Sequence, residues 1–311
     1  MKTTFYIGTR GSPLALKQAE WVTTQLKNKY PQFNFNLIKI KTRGDKIYDV
    51  PLAKLGGKGL FVKEIEEALI EKKIDLAVHS LKDVPINFPE ELTLGAIPPR
   101  ENPLDVLISR NGNQLEHLPR NARIGTSSLR RQAQLRKIRN DFRIDSLRGN
   151  IDTRLKKLEI EQLDAIIIAA AGIIRLGKKE KITQYLNPEQ ILPAVGQGAL
   201  GIQTRRDDPE INSLISFLHH PETAQAILAE RAFLKRLEGG CQVPIAALAK
   251  IIDGKLLLDG LISSVDGEKI IRDKIEGNPQ QAEDLGSLLA EKLLAAGGKT
   301  ILEEIYSENK S

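Results

Sequence analysis

Short apolar runs recur along the chain, each leading into a polar or glycine-bearing loop and then into a stretch of helical periodicity. "TTFYIGT" passes through "RGS" into "PLALKQAEWVTTQLKNKY". "FNLIKIKT" passes through "RGDKIYDVPLAKLGGKG" into "LFVKEIEEALIEKK", and "IDLAVHS" runs into "LKDVP". Repeated strand–loop–helix units predict parallel α/β architecture. Ser12 stands where a helix N-cap belongs, and Pro13 suits the first helical position. After a Pro-rich stretch from Ile97 to Pro103 the pattern restarts: "DVLIS", "ARIGT" into "SSLRRQAQLRKIR", "FRIDSL" into "NIDTRLKKLEI", and "LDAIIIAA" into "GIIRLG". The restart predicts a second domain of similar build. "GALGIQTR" follows the turn-rich "ILPAVGQG" and is placed to return to the first domain's sheet. Beyond Pro221 a helix precedes "EGGCQVP", alternating strands such as "KLLLDGLIS", and a terminal helix near Leu285 to Ala296. The expected organisation is a first α/β domain (1–98 and 199–217), a second (99–198), and a small third α+β domain (218–311).

The length of 311 residues agrees with two or three domains, since single cores rarely grow that large. A single cysteine cannot form an internal disulfide, which points to a reducing compartment, with cytoplasm as the default. The first residues reach polar and charged positions too soon for a secretory leader, and no run approaches the roughly 18 apolar residues of a membrane span. The net charge of +6 favours anionic partners. Much of the excess is local: residues 120–157 hold twelve Lys or Arg against three Asp. Their one aromatic residue is Phe142, which disfavours nucleic acid, whose channels interleave basic residues with stacking platforms.

In α/β sheets, ligands bind beyond the carboxyl ends of the strands. The polar residues at those ends are Arg10 and Ser12; Lys82 and Asp83; Thr126 to Ser128 with Arg130 and Arg131; Arg148 and Asn150 with Arg154 one turn on; and Arg175. Arginine forks grip carboxylates or phosphates bidentately, so this set suits a ligand with several negative charges. Plainer readings stand beside these. The helix from Ser128 could be a capped helix with a solvated basic face, and Asp83 could be a turn cap or the partner of a salt bridge. "GGKG" at 56–59 is not a phosphate loop, because Leu60 stands where Ser or Thr is required; a flexible lid fits better. "RGD" at 43–45 carries no adhesive weight. His79, His117, His219 and His220 lack metal-ligand spacing, and no metal is expected. Cys241 could be a small hydrophobe, a nucleophile or an attachment point.

Seven stretches in order, "RGSPLAL", "KLGGKGLFVKEIE", "AVHSLKDVP", "GTSSLRRQAQL", "LRGNIDTRL", "LPAVGQGALGI" and "LEGGCQVPI", closely resemble the porphobilinogen deaminase (hydroxymethylbilane synthase) family over nearly the whole chain. The resemblance implies two domains like periplasmic binding proteins with a central cleft, plus a small C-terminal α+β domain. It implies a covalent dipyrromethane cofactor joined by a thioether to Cys241. On this primer the enzyme would polymerise four porphobilinogen molecules head to tail, with loss of ammonia, to give hydroxymethylbilane for tetrapyrrole (haem or chlorophyll) biosynthesis. Asp83, Arg10, Arg148 and Arg154 would be catalytic, with Asp83 stabilising the pyrrole N–H groups and the developing positive charge. Ser12, Lys82, Asp83, Thr126, Ser128, Arg130, Arg131 and Arg148 would bind the cofactor. Arg10, Arg148, Arg154 and Arg175 would bind substrate, and Lys54 to Lys58 would belong to a mobile lid. A monomer acting on a small molecule, without nucleic acid or membrane, is expected. The alternative from another class is a non-catalytic anion-binding protein or sensor of the same two-lobed build. It accounts for the arginines but not for the third domain or "EGGCQ".

Overall fold

The computed structural model describes residues 2–42, 44, 62–238 and 243–308; Cys241 and the expected lid at Lys54 to Lys58 lie outside them. The chain divides into two compact units, one of residues 1–49, 57–101 and 198–224 and the other of 50–56, 102–197 and 225–311.

The chain begins with β1 (Thr4–Arg10), α1 (Pro13–Lys29), β2 (Asn34–Ile40), α2 (Lys63–Ile70), β3 (Leu76–Ser80) and β4 (Leu92–Ala96). It then builds a second sheet from β5 (Asp105–Ser109), β6 (Arg123–Gly125), α3 (Leu129–Ile138), β7 (Arg143–Asp145), α4 (Ile151–Ile160), β8 (Ala165–Ala169), α5 (Ala170–Arg175) and β9 (Gln184–Leu186). β10 (Leu200–Arg205) returns to the first sheet, as its apolar pattern predicts, and lies between β3 and β4. The first sheet has the order β2-β1-β3-β10-β4 and the second β7-β6-β8-β5-β9. In the first, β1 runs parallel to β2 and β3, while β10 is antiparallel to β3 and β4. In the second, β6 runs parallel to β7 and β8, while β5 is antiparallel to β8 and β9. The expected parallel sheets are therefore mixed. The antiparallel member of each is the first strand laid down after the chain crosses from the other unit, so it enters without a βαβ connection to set its direction.

Side-chain alternation places helices on both faces of the first sheet. Val78, with Phe5, Ile7 and Ile202, packs under Val22 and Leu26 of α1, whereas Ala77 on the opposite face meets Ile65 and Leu69 of α2. The second sheet alternates likewise, Leu107 and Ile167 entering one core and Val106, Ile166 and Ile168 the other. Each such Leu or Ile, fully buried, contributes about 1.5–3 kcal/mol.

After α6 (Pro209–Ile215), the long α7 (Pro221–Arg236) leads to an antiparallel meander of β11 (Ile245–Ile252), β12 (Lys255–Ser263) and β13 (Ile270–Gly277). α8 (Ala282–Leu293) and α9 (Lys299–Glu308) complete this region, and Phe233, Leu258, Leu289 and Ile301 share its core. The expected terminal helix is thus two helices. Gly297 at φ 108° adopts a left-handed conformation that glycine takes without strain, and the helix breaks there. The α+β character expected of the C-terminal segment is present.

Candidate active site

Arg10 is the last residue of β1, and Ser12 caps α1 with φ −69° and ψ 148°, its hydroxyl accepting a hydrogen bond from the Ala15 N–H at 3.3 Å. Lys82 and Asp83 occupy a single 3-10 turn, Leu81–Asp83, directly after β3. Leu81 is buried and anchors the turn; its N–H donates to the Ala199 carbonyl at 3.0 Å, and the Val84 N–H closes onto the Leu81 carbonyl at 3.1 Å. Lys82 and Asp83 are consequently turned out to solvent. Within this unit a pocket is lined by Arg10, Ser12, Gln18, His79, Ser80 and Asp83. Gln18 fixes the strand end by donating to Ser80 Oγ at 2.8 Å and accepting from it at 3.0 Å. Asp83 and Arg10 therefore line the same pocket.

His79 lines the same pocket, although the sequence suggested nothing for it beyond the absence of metal spacing. Its Nε2 lies 3.0 Å from Gln203 Oε1, and Gln203 Nε2 donates to Glu66 Oε1 at 3.0 Å. Burial holds His79 down at about 4, with the Arg10 charge adding to the effect and the Gln203 hydrogen bond opposing it. Burial also raises the Glu66 carboxyl, against the hydrogen bond from Gln203.

In the other unit, the loops after β6 and β7 lie side by side. The Thr126 N–H donates to the Asp145 carbonyl at 2.8 Å, and Ser127 Oγ donates to the Leu147 carbonyl at 3.0 Å. The Thr126 hydroxyl accepts from the Ser128 N–H at 3.2 Å, whereas the Ser128 side chain, at the start of α3, makes no capping bond. Asn150 caps α4 by accepting from the Thr153 N–H at 2.9 Å. The turn before it needs glycine: Gly149 has φ 110°, and a Cβ there would stand 2.6 Å from Thr153 Cγ2. Arg154 Nε donates to the Gly149 carbonyl of this turn at 2.9 Å, and the side chains of Arg154 and of Arg148, one residue before Gly149, are both half-buried. Arg175 is not at a strand end; it closes α5, about 9 Å of helix beyond β8 at 1.5 Å per residue.

Arg130 and Arg131 differ from the other cations. Both are buried and converge on Asp105, the fully buried first residue of β5. Arg131 donates from Nε and Nη2 to Asp105 Oδ1 at 3.1 and 2.7 Å and from Nη1 to the Ile167 carbonyl at 2.9 Å. Arg130 Nη1 lies 2.8 Å from Asp105 Oδ2 and 2.7 Å from the Leu192 carbonyl. Burial alone would raise the Asp105 carboxyl, but the two guanidinium charges and their hydrogen bonds overcome it and hold the group far below the usual carboxylate range. Gln197 Nε2 donates to the same Oδ1 at 2.9 Å. One residue earlier, the Gly196 N–H donates at 2.7 Å to Glu230 of α7, which also accepts from the Ala249 N–H at 2.8 Å. Sequence reasoning missed Asp105, Gln197 and Glu230. The one available signal was an aspartate opening the apolar run "DVLIS", where burial demands a cationic partner. A larger groove of about 670 Å³, lined by Arg136 to Asp141 and Asp266 to Glu268, holds none of the expected site residues.

Each unit by itself carries cations at strand or helix ends, Arg10 beside the exposed Asp83 in one and Arg148 and Arg154 around the start of α4 in the other, and such groups suit an anionic ligand. Family models agree: "Porphobilinogen deaminase, dipyromethane cofactor binding domain" matches residues 5–213, and "Porphobilinogen deaminase, C-terminal domain" matches 224–295. The chain is 55% identical over 300 residues to a porphobilinogen deaminase of Pelobacter propionicus, covering 96% of each chain. It is 56% identical over 300 residues to that of Geobacter metallireducens, covering 96% of this chain and 94% of the relative. The chain belongs to the porphobilinogen deaminase family. Among solved structures, the probable amino-acid ABC transporter extracellular-binding protein ytmK from Bacillus subtilis is similar at 13% identity and a TM-score of 0.44, covering 76% of this chain and 97% of that one.

Proposed function

We propose that the protein is a hydroxymethylbilane synthase: a transferase that joins four porphobilinogen molecules head to tail, releasing one ammonia for each, in tetrapyrrole biosynthesis. The observation that carries the reading at the level of residues is Asp83, an exposed carboxylate sharing a pocket with Arg10 and Ser12 in a family member. Porphobilinogen bears an acetate, a propionate and an aminomethyl group. Breaking its C–N bond sends the electron pair out with nitrogen as ammonia and leaves positive charge on the ring. Asp83 faces that charge as a fixed counter-ion, an arrangement commonly worth about 10²–10³ in rate. Arg10 binds the reacting substrate's carboxylates, and Arg148, Arg154 and Arg175 bind those of substrate and lengthening chain.

The residues present fit a dipyrromethane bearing several carboxylates: Arg148 and Arg154 flank the turn at Gly149, and the Ser128 side chain starts a helix without capping it. Ser12, Lys82, Asp83, Thr126, Ser128, Arg130, Arg131 and Arg148 would hold the group, and Cys241 would anchor it through sulfur. When bound, it supplies the first nucleophilic pyrrole. Three functional domains, 1–98 with 199–217, 99–198 and 218–311, are part of the proposal. So is action as a monomer in the cytoplasm, without metal, nucleic acid or membrane. Among the described residues no helix is long and apolar enough to cross a membrane, and no cluster of three metal-type ligands occurs.

The test is to incubate the protein with porphobilinogen and measure ammonia and linear tetrapyrrole together. Four ammonia per product are expected, and Cys241→Ser should stay folded with turnover essentially abolished. Tight binding of porphobilinogen without ammonia release would overturn the reading in favour of a non-catalytic anion-binding protein.

A further inference from the structure

The pocket beside Asp83 contains a second acceptor. Alternation along β3 sends Val78 and Ser80 towards α1, and Ala77 and His79 towards α2. There the imidazole meets a buried polar chain across three elements: His79 of β3, Gln203 of β10 and Glu66 of α2, which are 5%, 0% and 8% exposed. The direction of this chain fixes the ring's proton. Gln203 gives its amide N–H to Glu66, so its carbonyl oxygen faces the imidazole. An amide oxygen only accepts, so His79 Nε2 must carry the hydrogen. In the neutral ring Nδ1 is then a lone-pair acceptor, and it has no hydrogen-bond partner among the described residues. His79 is also one of the residues lining the pocket that holds Arg10, Ser12 and Asp83, and the Arg10 charge acts on its ring.

We infer that His79 is a further substrate-binding residue, whose Nδ1 accepts a hydrogen bond from the aminomethyl ammonium of porphobilinogen. The inference rests on the function proposed above. The charges in the pocket divide the substrate between them: Arg10 suits a carboxylate, while Asp83 and a neutral imidazole acceptor suit N–H groups. With Asp83 facing the ring N–H and the charge that develops there, the ammonium is the remaining donor group of the molecule. A neutral ring that resists protonation holds this group without removing its proton, so the nitrogen departs as neutral ammonia when the C–N bond breaks.

Two substitutions separate binding from support. His79→Gln places its amide where Nε2 was and keeps the bond to Gln203, but offers nothing at the Nδ1 position. His79→Asn keeps an acceptor near Nδ1. The KM for porphobilinogen is compared with the inhibition constant of a pyrrole carrying the same acetate and propionate but no aminomethyl group. His79→Gln should raise the KM about 10- to 100-fold, the value of one charge-assisted hydrogen bond, leave the inhibition constant within about threefold, and keep its cofactor by intact mass. His79→Asn should recover part of the loss. Equal weakening of substrate and analogue, or an unchanged KM, overturns the inference. If His79→Gln does not fold, the ¹⁵N spectrum of histidine-labelled wild-type protein decides: the Nε2–H form at neutral pH supports the inference, and the Nδ1–H form overturns it. Wild-type protein that leaves porphobilinogen unconsumed contradicts the proposed function instead.

Discussion

The two five-stranded sheets share one strand order and differ in where each puts its carboxylate. In both, the antiparallel strand begins beside the last residue of the third parallel strand: Leu200 pairs with Ser80 in the first sheet, and Asp105 pairs with Ala169 in the second. At that equivalent place one sheet has an apolar residue and the other a buried acid consumed by two arginines. Just past the third strand the roles reverse. The first sheet continues into the 3-10 turn that exposes Asp83, whereas the second continues into the buried opening of α5. The first unit keeps its own buried ion cluster at the far end of the sheet, where Arg205 donates to Asp208 at 2.6 Å and to the Leu69 and Ile74 carbonyls at 2.8 Å each. One topology therefore yields an exposed carboxylate at the end of one sheet and a buried, arginine-paired carboxylate at the end of the other, through where each sheet places its acid.

The comparison breaks most visibly at Arg131. Arg131→Leu leaves Asp105 in the core with one cation fewer, and removing one partner of a buried pair costs roughly 3–5 kcal/mol. A fall in Tm of roughly 5–15 °C is expected by calorimetry, together with poor cofactor loading by intact mass. A variant with wild-type Tm would mean that Arg131 only serves ligand. A smaller effect is expected at the half-buried cations of the same unit. Arg148→Leu and Arg175→Leu should keep fold and cofactor but slow elongation about 10- to 100-fold, with enzyme-bound intermediates accumulating, because each loses one charge-assisted contact. Full-rate elongation would remove them from substrate binding.

The smallest effect is in pH. His79 takes a proton near its ordinary value of 6.5 when unfolded but only at about 4 when folded. Its neutral form is favoured by the fold, so this contribution is complete above about 6.5 and is lost as pH falls towards 4; a gap of that size is worth on the order of 3 kcal/mol. Glu66, whose carboxyl is raised, offsets part of the loss by binding a proton earlier in the folded state. Arg10 and Asp83 are the other charged groups in the pocket. The Tm of wild type should fall by a few degrees across this window, and His79→Gln should flatten the slope. Asp105, with its lowered pKa, adds a loss only at more acid pH, below the ordinary carboxylate value of 3.8.

Much of this organisation is legible in the sequence, because local chemistry encodes it. Ser12 caps α1, the return of "GALGIQTR" to the first sheet is real, and Arg10 ends a strand while Arg148 stands in the loop before a helix, whereas Arg175, read as a strand-end residue, closes a helix. Strand direction is not local. β5 and β10 read as ordinary apolar strands, and only the crossings between units make them antiparallel. The short β9 carries too few residues to register a period of two. Asp105 illustrates the deeper limit: from sequence Arg130 and Arg131 are free cations, and only folding brings an acid 26 residues away from Arg131 between them. His79 was legible as a residue in a motif but not as an oriented acceptor, since Glu66 and Gln203 are 137 positions apart.

The proposed function rests on Asp83 as the counter-ion of the developing charge, and single-turnover condensation by cofactor-loaded Asp83→Asn tests it directly. Intact mass is followed after mixing with porphobilinogen. The account predicts a folded, loaded protein of wild-type Tm whose mass grows by successive pyrrole units about 10²–10³ times more slowly than wild type, because the size of the side chain is kept and its charge is removed. Growth at the wild-type rate would contradict it and leave Asp83 as no more than the end of a turn.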